Sequence, residues 1–252
     1  MHEQIGQHAV WHLFTFRPFW GIDWGEFHAD TIITTWVVMA VTLPLFAWIG
    51  ASYRSARITK RQTFIEGVIN YFADLAYGSM GKTAEPFVPF FIALVIFIFL
   101  LNEFGAFPFK EPLHFPFGGS PTADLNTAAA LAIIVFLLIQ FSGIRRFGLA
   151  FYKHFVKPMP GMLPLNLLEE FIRPLTLTLR LFFNIFIGEL LLFVVVQIIT
   201  AQVQIGAFNL SLAAAIGPFF IETFNFLIGL LQAFVFALLS VVYLSLALAD
   251  EH

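Results

Sequence analysis

Apolar residues in this chain form five long stretches separated by polar links, a pattern typical of membrane-spanning helices. The stretches cover residues 31–49, 87–101, 123–141, 163–200 and 210–248. A spanning helix needs about 20 apolar residues, which suits the first three stretches with modest extension. The last two run well past that length, so each contains either a broken helix or a strongly tilted one. We expect tilt, because Pro174 and Pro218 lie early in their stretches, where a proline is tolerated.

The polar link after the first stretch predicts an amphipathic helix at the membrane interface. Basic residues come first, and apolar residues then recur on one helical face. That face comprises Phe64, Ile65, Val68, Ile69, Phe72, Leu75 and Ala76. Residues 1–30 interleave aromatic and charged side chains, which predicts an interfacial segment. They lack the basic and apolar regions of a secretory signal.

The composition excludes most classes of soluble protein. Of the 252 residues, 59% are hydrophobic and 12% are charged, whereas a soluble domain is about 25% charged. The sequence has no cysteine, which excludes disulfides and thiolate metal sites. A net charge of -3 gives no indication of nucleic-acid binding. No paired-histidine motif or glycine-rich phosphate loop is present, so we expect no metal and no cofactor.

Basic residues are distributed unequally between the two sides that five crossings define. The links after the first and third stretches hold nine of the 13 Lys and Arg residues, and the opposite side holds two. The positive-inside rule therefore predicts an outer N-terminus and a cytoplasmic C-terminus. The side predicted to be cytoplasmic carries Arg54, Arg57, Lys60, Arg61, Lys82, Arg145, Arg146, Lys153 and Lys157, and the outer side carries Arg17 and Lys110.

The predicted fold class is an all-α integral membrane protein with about five membrane helices plus an interfacial amphipathic helix. No internal repeat is visible, which disfavours transporters built from two inverted halves, so we expect a single membrane domain over 1–252. Its parts are the interfacial segment 1–30, the first span 31–50, the cytoplasmic link 51–86, the second and third spans 87–142, the cytoplasmic link 143–162 and the tilted pair 163–248.

Arg180 lies near the middle of the fourth stretch, and its side chain has the highest free-energy cost of membrane insertion there. An arginine at a helix centre costs about 2.5–3.5 kcal/mol on insertion scales, and its guanidinium does not lose its proton. Glu169 shares its helical face but lies about 16 Å away along the axis, and Glu189 is on the opposite face. We therefore expect an acidic partner on another helix, of this chain or of another chain.

Two simpler interpretations of Arg180 also stand. Its side chain snorkels to an interface, or it forms a structural pair with Glu222 or Asp124. Arg173 lies nearer the predicted cytoplasmic end, beside Pro174, and is expected to snorkel or to contact lipid headgroups.

A second polar line follows the fifth stretch. Taking Gln232 as reference, Asn225 and Tyr243 lie about 20° away around the helix, and Glu222 and Ser240 about 80°. Such a line suits either a wetted path or helix–helix hydrogen bonds. A buried Glu222 carboxylate has to be paired, hydrated or protonated.

Polar residues also mark the ends of the second and third stretches. Asn102 and Glu103 end the second stretch, and Asp124 and Asn126 begin the third. Asp124 either caps its helix or lines an aqueous vestibule on the predicted outer side.

Three motifs resemble subunit a of the rotary F-type ATP synthase. They are LTLTLRLFFNIFIGEL over 175–190, LQAFVFALLSVVYL over 231–244 and PTADLNT over 121–127. The Asp30-Thr31 start of the first span is similar too. The resemblance covers nearly the whole chain, in order.

The resemblance implies a mechanism and a set of site residues. Two tilted helices would lie as a horizontal hairpin against a rotor ring of subunit c, and protons would pass through two offset half-channels to and from the ring carboxylates. Arg180 would be the essential charge between the half-channels, with Asn184 as its neighbour, Glu189 lining the outer half-channel and Gln232 facing the Arg180 helix. Asn225 stands where the family often has His or Glu, and we expect Glu222 to take that role. Further candidates for the outer lining are Asp124, Asn126, Glu103 and Tyr243.

The implied partners are the subunit c ring, the peripheral-stalk subunit b, the rest of the ATP synthase and membrane lipid. The chain would not be catalytic alone. Two alternatives are a self-contained ion transporter or channel and a structural anchor in a respiratory membrane complex. The sequence leaves open whether the coupling ion is the proton or sodium. We expect a bacterial plasma membrane, with a thylakoid or other internal membrane as the alternative.

Overall fold

A computed structural model describes residues 10–12, 26–52, 60–104, 120–148, 151, 161, 163–200 and 211–249. This part of the chain is mainly helical, which confirms the predicted all-α membrane class. Its helices are α1 (Ala29–Ser52), α2 (Lys60–Met80), α3 (Val88–Phe104), α4 (Leu125–Phe147), α5 (Leu163–Thr200) and α6 (Ser211–Leu248). Short 3-10 turns over Gly81–Ala84 and Pro121–Ala123 precede α3 and α4.

A small β-ribbon precedes α1. Strand β1 (Val10–His12) pairs with strand β2 (Glu26–His28) in an antiparallel arrangement, with Trp11 opposite Phe27. The sequence pattern does not predict these strands, since three residues are too few to show an alternation. The rest of the predicted interfacial segment lies outside the described residues, and so do Arg17, Arg54, Arg57, Lys110, Lys153 and Lys157.

Within the described ranges, four helices are long and apolar enough to cross a membrane. The apolar segments are Thr31–Trp48, Leu125–Phe147, Leu163–Val195 and Phe219–Leu248. Helix α3 has 17 residues and is about 26 Å long, slightly shorter than a hydrocarbon core of about 30 Å.

Helices α5 and α6 are each continuous over 38 residues, so the broken-helix alternative is wrong. Helix α5 continues through Pro174. Each helix is about 57 Å long, almost twice the thickness of the hydrocarbon core. Tilt therefore remains the expected way for both to lie in a bilayer.

Helix α6 is the centre of the bundle. A line of its residues at helical spacing is buried, and α2, α3, α4 and α5 pack around it. The line consists of Ala233, Phe236, Ala237, Ser240, Val241, Leu244 and Leu248. The small alanines let neighbouring helices approach closely. This packing brings the polar side chains at one end of α6 between α3 and α5.

Helix α2 is the predicted amphipathic helix. Phe72 and Ala76 from its apolar face are buried, and the rings of Tyr71 and Phe72 lie 5.9 and 5.7 Å from the ring of Phe234 on α6. Val68 and Ile69 from the predicted face remain exposed. The helix is confirmed, and its position at a membrane interface stays a prediction.

Candidate functional site

Arg180 is exposed on the surface of α5. The neighbouring Leu177, Thr178 and Leu181 are buried, so α5 packs through that face and turns Arg180 away from the bundle. Arg180 makes no hydrogen bond or ion pair with any residue in the described ranges. The pairs with Glu222 and Asp124 considered from the sequence are therefore not formed. A guanidinium inside an apolar stretch still needs an anion or water, which has to come from outside these residues.

One turn beyond Arg180, a hydrogen bond joins α5 to α6. Asn184 Nδ2 donates to Gln232 Oε1 at 2.6 Å. Gln232 is 2% exposed, and its Nε2 has no partner within the described residues. A buried amide normally satisfies its donors, so this nitrogen is an exception within the described part of the chain.

An acidic cavity lies between α3, α5 and α6. Along α5 it extends from Asn184 toward the C-terminal end of the helix. It measures about 440 Å³ including its open mouth. It combines three carboxylates with three asparagines. The lining residues are Asn102, Glu103, Ser120, Asn184, Ile185, Gly188, Glu189, Leu192, Glu222, Asn225, Phe226 and Ile228. The structure thus brings Glu103, Asn184, Glu189, Glu222 and Asn225 of the predicted site into one space.

The carboxylates of the acidic cavity have different partners. Glu222 lies close to Asn225 and to Glu103, and all three line the cavity. Glu189 Oε1 accepts a hydrogen bond from the Ser120 backbone N–H at 3.0 Å. Within the described part of the chain, no group of three acidic or histidine side chains is arranged to hold a metal ion.

Two glycines make room for these groups. A Cβ at Gly229 would lie 2.5 Å from Glu103 Oε1, and a Cβ at Gly188 would lie 2.6 Å from Asn225 Oδ1. A real Cβ essentially never approaches another atom so closely. A side chain at either position would therefore have to displace the end of the Glu103 or Asn225 side chain.

A buried hydrogen-bond network holds the wall of the acidic cavity. Asn102 Nδ2 donates to the Gly229 carbonyl at 3.1 Å, and Asn102 Oδ1 accepts from Thr122 Oγ1 at 2.7 Å. Thr122 and Ser120 hydroxyls lie 2.7 Å apart, and Ser120 Oγ donates to the Leu101 carbonyl. This network fixes the turn before α4 and so positions the Ser120 N–H that binds Glu189. Periodicity gave no signal for Ser120 or Thr122, because neither belongs to a long helix.

Three predicted lining residues lie elsewhere. Asp124 caps α4, with its Oδ1 accepting from the Asn126 backbone N–H at 2.9 Å. Asn126 is exposed. Tyr243 lies toward the opposite end of α6. Within the described residues, the acidic cavity is therefore lined by Glu103 but not by Asp124, Asn126 or Tyr243, the other three candidates for the outer lining.

A second polar cluster lies near the N-terminal end of α5. Arg173 Nη1 lies 3.2 Å from Glu170 Oε2, and the other oxygen of Glu170 accepts from Gln140 Nε2 at 2.6 Å. The Arg173 guanidinium lies over the Tyr243 ring, 5.6 Å from its centroid. This ion pair was not predicted from the sequence, and the expected contact of Arg173 with lipid headgroups stays a prediction. We call these four residues the Glu170 cluster. Glu170 precedes Arg173 by three residues, a pairing distance on a helix, and this signal could have revealed the pair.

The fold and these groups define a class: a helical integral membrane protein that carries charged and polar side chains within its long apolar helices. The family model described as ATP synthase A chain matches residues 32–245. That range includes every member of the acidic cavity and of the Glu170 cluster. The chain therefore belongs to the ATP synthase subunit a family, whose members have a proton-translocating role in the ATP synthase.

Proposed function

We propose that this chain forms two offset half-channels that pass protons to and from the carboxylates of a subunit c ring. Movement of protons down their gradient would then drive rotation of the ring and ATP synthesis by the rest of the complex. The observation that carries the proposal is the position of Arg180. It is exposed on α5, between the acidic cavity at one end and the Glu170 cluster at the other.

The acidic cavity supplies the half-channel on the outer side. Its end of the bundle is the end opposite to most Lys and Arg residues, which the positive-inside rule assigns to the outside. Glu222 and Glu103 can each bind and release a proton, whereas the amide of Asn225 cannot titrate. Asn225 and Glu222 are three residues apart on α6 and line the same cavity, so that Glu222 serves where the family often has a titratable group at Asn225.

Arg180 separates the two half-channels because its charge is permanent. It attracts a ring carboxylate that has lost its proton and repels a proton that would cross directly. One elementary charge crossing 100 mV is worth about 2.3 kcal/mol, so any direct leak would dissipate the energy that rotation uses. Lysine would be a poorer choice at this position, because an ammonium can lose its proton when it is buried.

The surface around Arg180 suits a ring of helices. Phe183, Ile187, Leu190, Leu227 and Leu231 are exposed on α5 and α6, so a partner or lipid has to cover an apolar face. A self-contained transporter would instead need its own carboxylate opposite Arg180. Glu222, the candidate considered from the sequence, lines the acidic cavity together with Asn225. We propose subunit b and the remaining ATP synthase subunits as further partners, in a bacterial plasma membrane with an outer N-terminus.

The test is ATP-driven proton pumping by inverted membrane vesicles that contain the complete complex with Arg180→Ala. We expect pumping to be lost and passive proton leak to rise, with the ring still associated and ATP hydrolysis present. Arg145→Ala is the matched control, since Arg145 is an exposed arginine at the end of α4. Normal coupled pumping by Arg180→Ala in an intact complex would overturn the proposal.

A further inference from the structure

Helix α5 carries two arginines on nearly the same face. Arg173 and Arg180 are seven residues apart, which places them about 20° apart around the helix and about 10.5 Å apart along it. A ring carboxylate that approaches Arg180 along this face would meet the second guanidinium two turns away, if that charge were free. If both guanidinium groups were equally accessible, the ring carboxylate would bind at two positions along α5, one at Arg180 and one at Arg173.

The contacts of the Glu170 cluster make Arg173 and Arg180 unequal. Glu170 is 7% exposed and bonds Arg173 through one oxygen and Gln140 through the other. The Tyr243 ring lies against the guanidinium on the side of α6. These contacts compensate the charge of Arg173 and draw its side chain toward α4 and α6, whereas Arg180 stays exposed.

We propose that Glu170 is a positioning residue that neutralises Arg173, so that Arg180 acts as the single accessible cation of α5. Both oxygens of Glu170 are engaged, one by the Arg173 guanidinium and one by the Gln140 amide. The inference rests on the proposed function, since it matters only if a ring carboxylate is attracted to Arg180.

The experiment compares Glu170→Gln with Glu170→Gln/Arg173→Gln in the complete complex in inverted vesicles. Glutamine keeps the size of Glu170 and can still bond Gln140, but it frees the charge of Arg173. We expect ATP-driven pumping to fall about tenfold in the single variant, a rise of about 1.4 kcal/mol in the barrier, because the freed charge of Arg173 competes with Arg180 for the ring carboxylate. In the double variant pumping should return to within about twofold of Arg173→Gln alone, since the competing charge is gone.

This recovery distinguishes charge neutralisation from a structural role, because a purely structural loss would persist in the double variant. Glu169→Gln is the matched control, since it removes the same charge from an exposed neighbour. A Glu170→Gln complex that pumps like the Glu169→Gln control, or a double variant no better than Glu170→Gln, would overturn the proposal.

A second variant covers the case in which Glu170→Gln fails to assemble. Gln140→Leu removes one hydrogen bond from Glu170 and leaves all charges in place. We expect a smaller fall in pumping that Arg173→Gln again reverses, and unchanged pumping in Gln140→Leu would count against the inference. Failure of the proposed function looks different: Arg180→Ala would then pump normally, whatever the Glu170 variants do.

Discussion

A single methyl group at Gly188 should test whether the acidic cavity needs its observed geometry. Gly188 lies on α5 beside the amide of Asn225 on α6. In Gly188→Ala the new Cβ would start 2.6 Å from Asn225 Oδ1 and 3.1 Å from its Cγ, whereas ordinary contact begins at 3.4 Å. Backbone on both sides is helical, so we expect the Asn225 side chain to move rather than the helices.

The cost of that movement follows from the side-chain geometry. Forcing Asn225 away from a preferred rotamer costs about 0.5–1.5 kcal/mol. This is about twofold to tenfold in rate if proton entry limits pumping. Alanine is also a better helix former than glycine, so the variant chain should still accumulate.

The assay is ATP-driven pumping by inverted vesicles, normalised to the amount of assembled complex. Gly67→Ala is the matched control, because a Cβ at this exposed position on α2 meets nothing within 4 Å. The double variant Gly188→Ala/Asn225→Ala should pump no worse than Asn225→Ala alone, since the displaced group is absent. The reasoning is refuted if Gly188→Ala pumps as fast as Gly67→Ala.

Two further predictions concern side chains that meet across helices. Asn184→Ala and Gln232→Ala should lower pumping non-additively, with a coupling of about 0.5–1.5 kcal/mol from their shared hydrogen bond; independent losses would contradict a functional bond. Glu222→Gln and Glu103→Gln should each lower pumping partly and together abolish it, because both carboxylates face the acidic cavity. Glu85→Gln, exposed in the turn before α3, is the control, and normal pumping by the double variant would argue against proton entry here.

Helix positions followed closely from the sequence. The fourth apolar stretch, predicted over 163–200, is α5, and the fifth, predicted over 210–248, is α6 from residue 211. The third span was predicted to end near Phe141, but α4 continues to Phe147. Hydropathy misses this extension because the last turn contains Arg145 and Arg146, cations that favour the negative end of the helix dipole.

Periodicity predicted the polar faces of α5 and α6 but not the partners of each side chain. Helical angle says which way a residue points, whereas its depth and the opposing helix decide what it contacts. Tyr243 lies near the angle of Gln232 but about 16 Å further along the helix, so it joins the Glu170 cluster rather than the acidic cavity. The contact of Glu103 with Gly229 depends on how α3 meets α6, which a single-helix pattern does not contain.

The balance of charges along α5 shows where this chain depends on its partners. An ionisable group within a membrane helix has to be compensated. Arg173 has Glu170 and Tyr243, and Glu189 has the Ser120 N–H. Arg180 has no such compensation among the described residues and is turned outward. The chain thus neutralises Arg173 internally and exposes Arg180, two turns further along α5. This difference is what the proposed function expects, because a ring carboxylate would supply the anion that Arg180 lacks among the described residues.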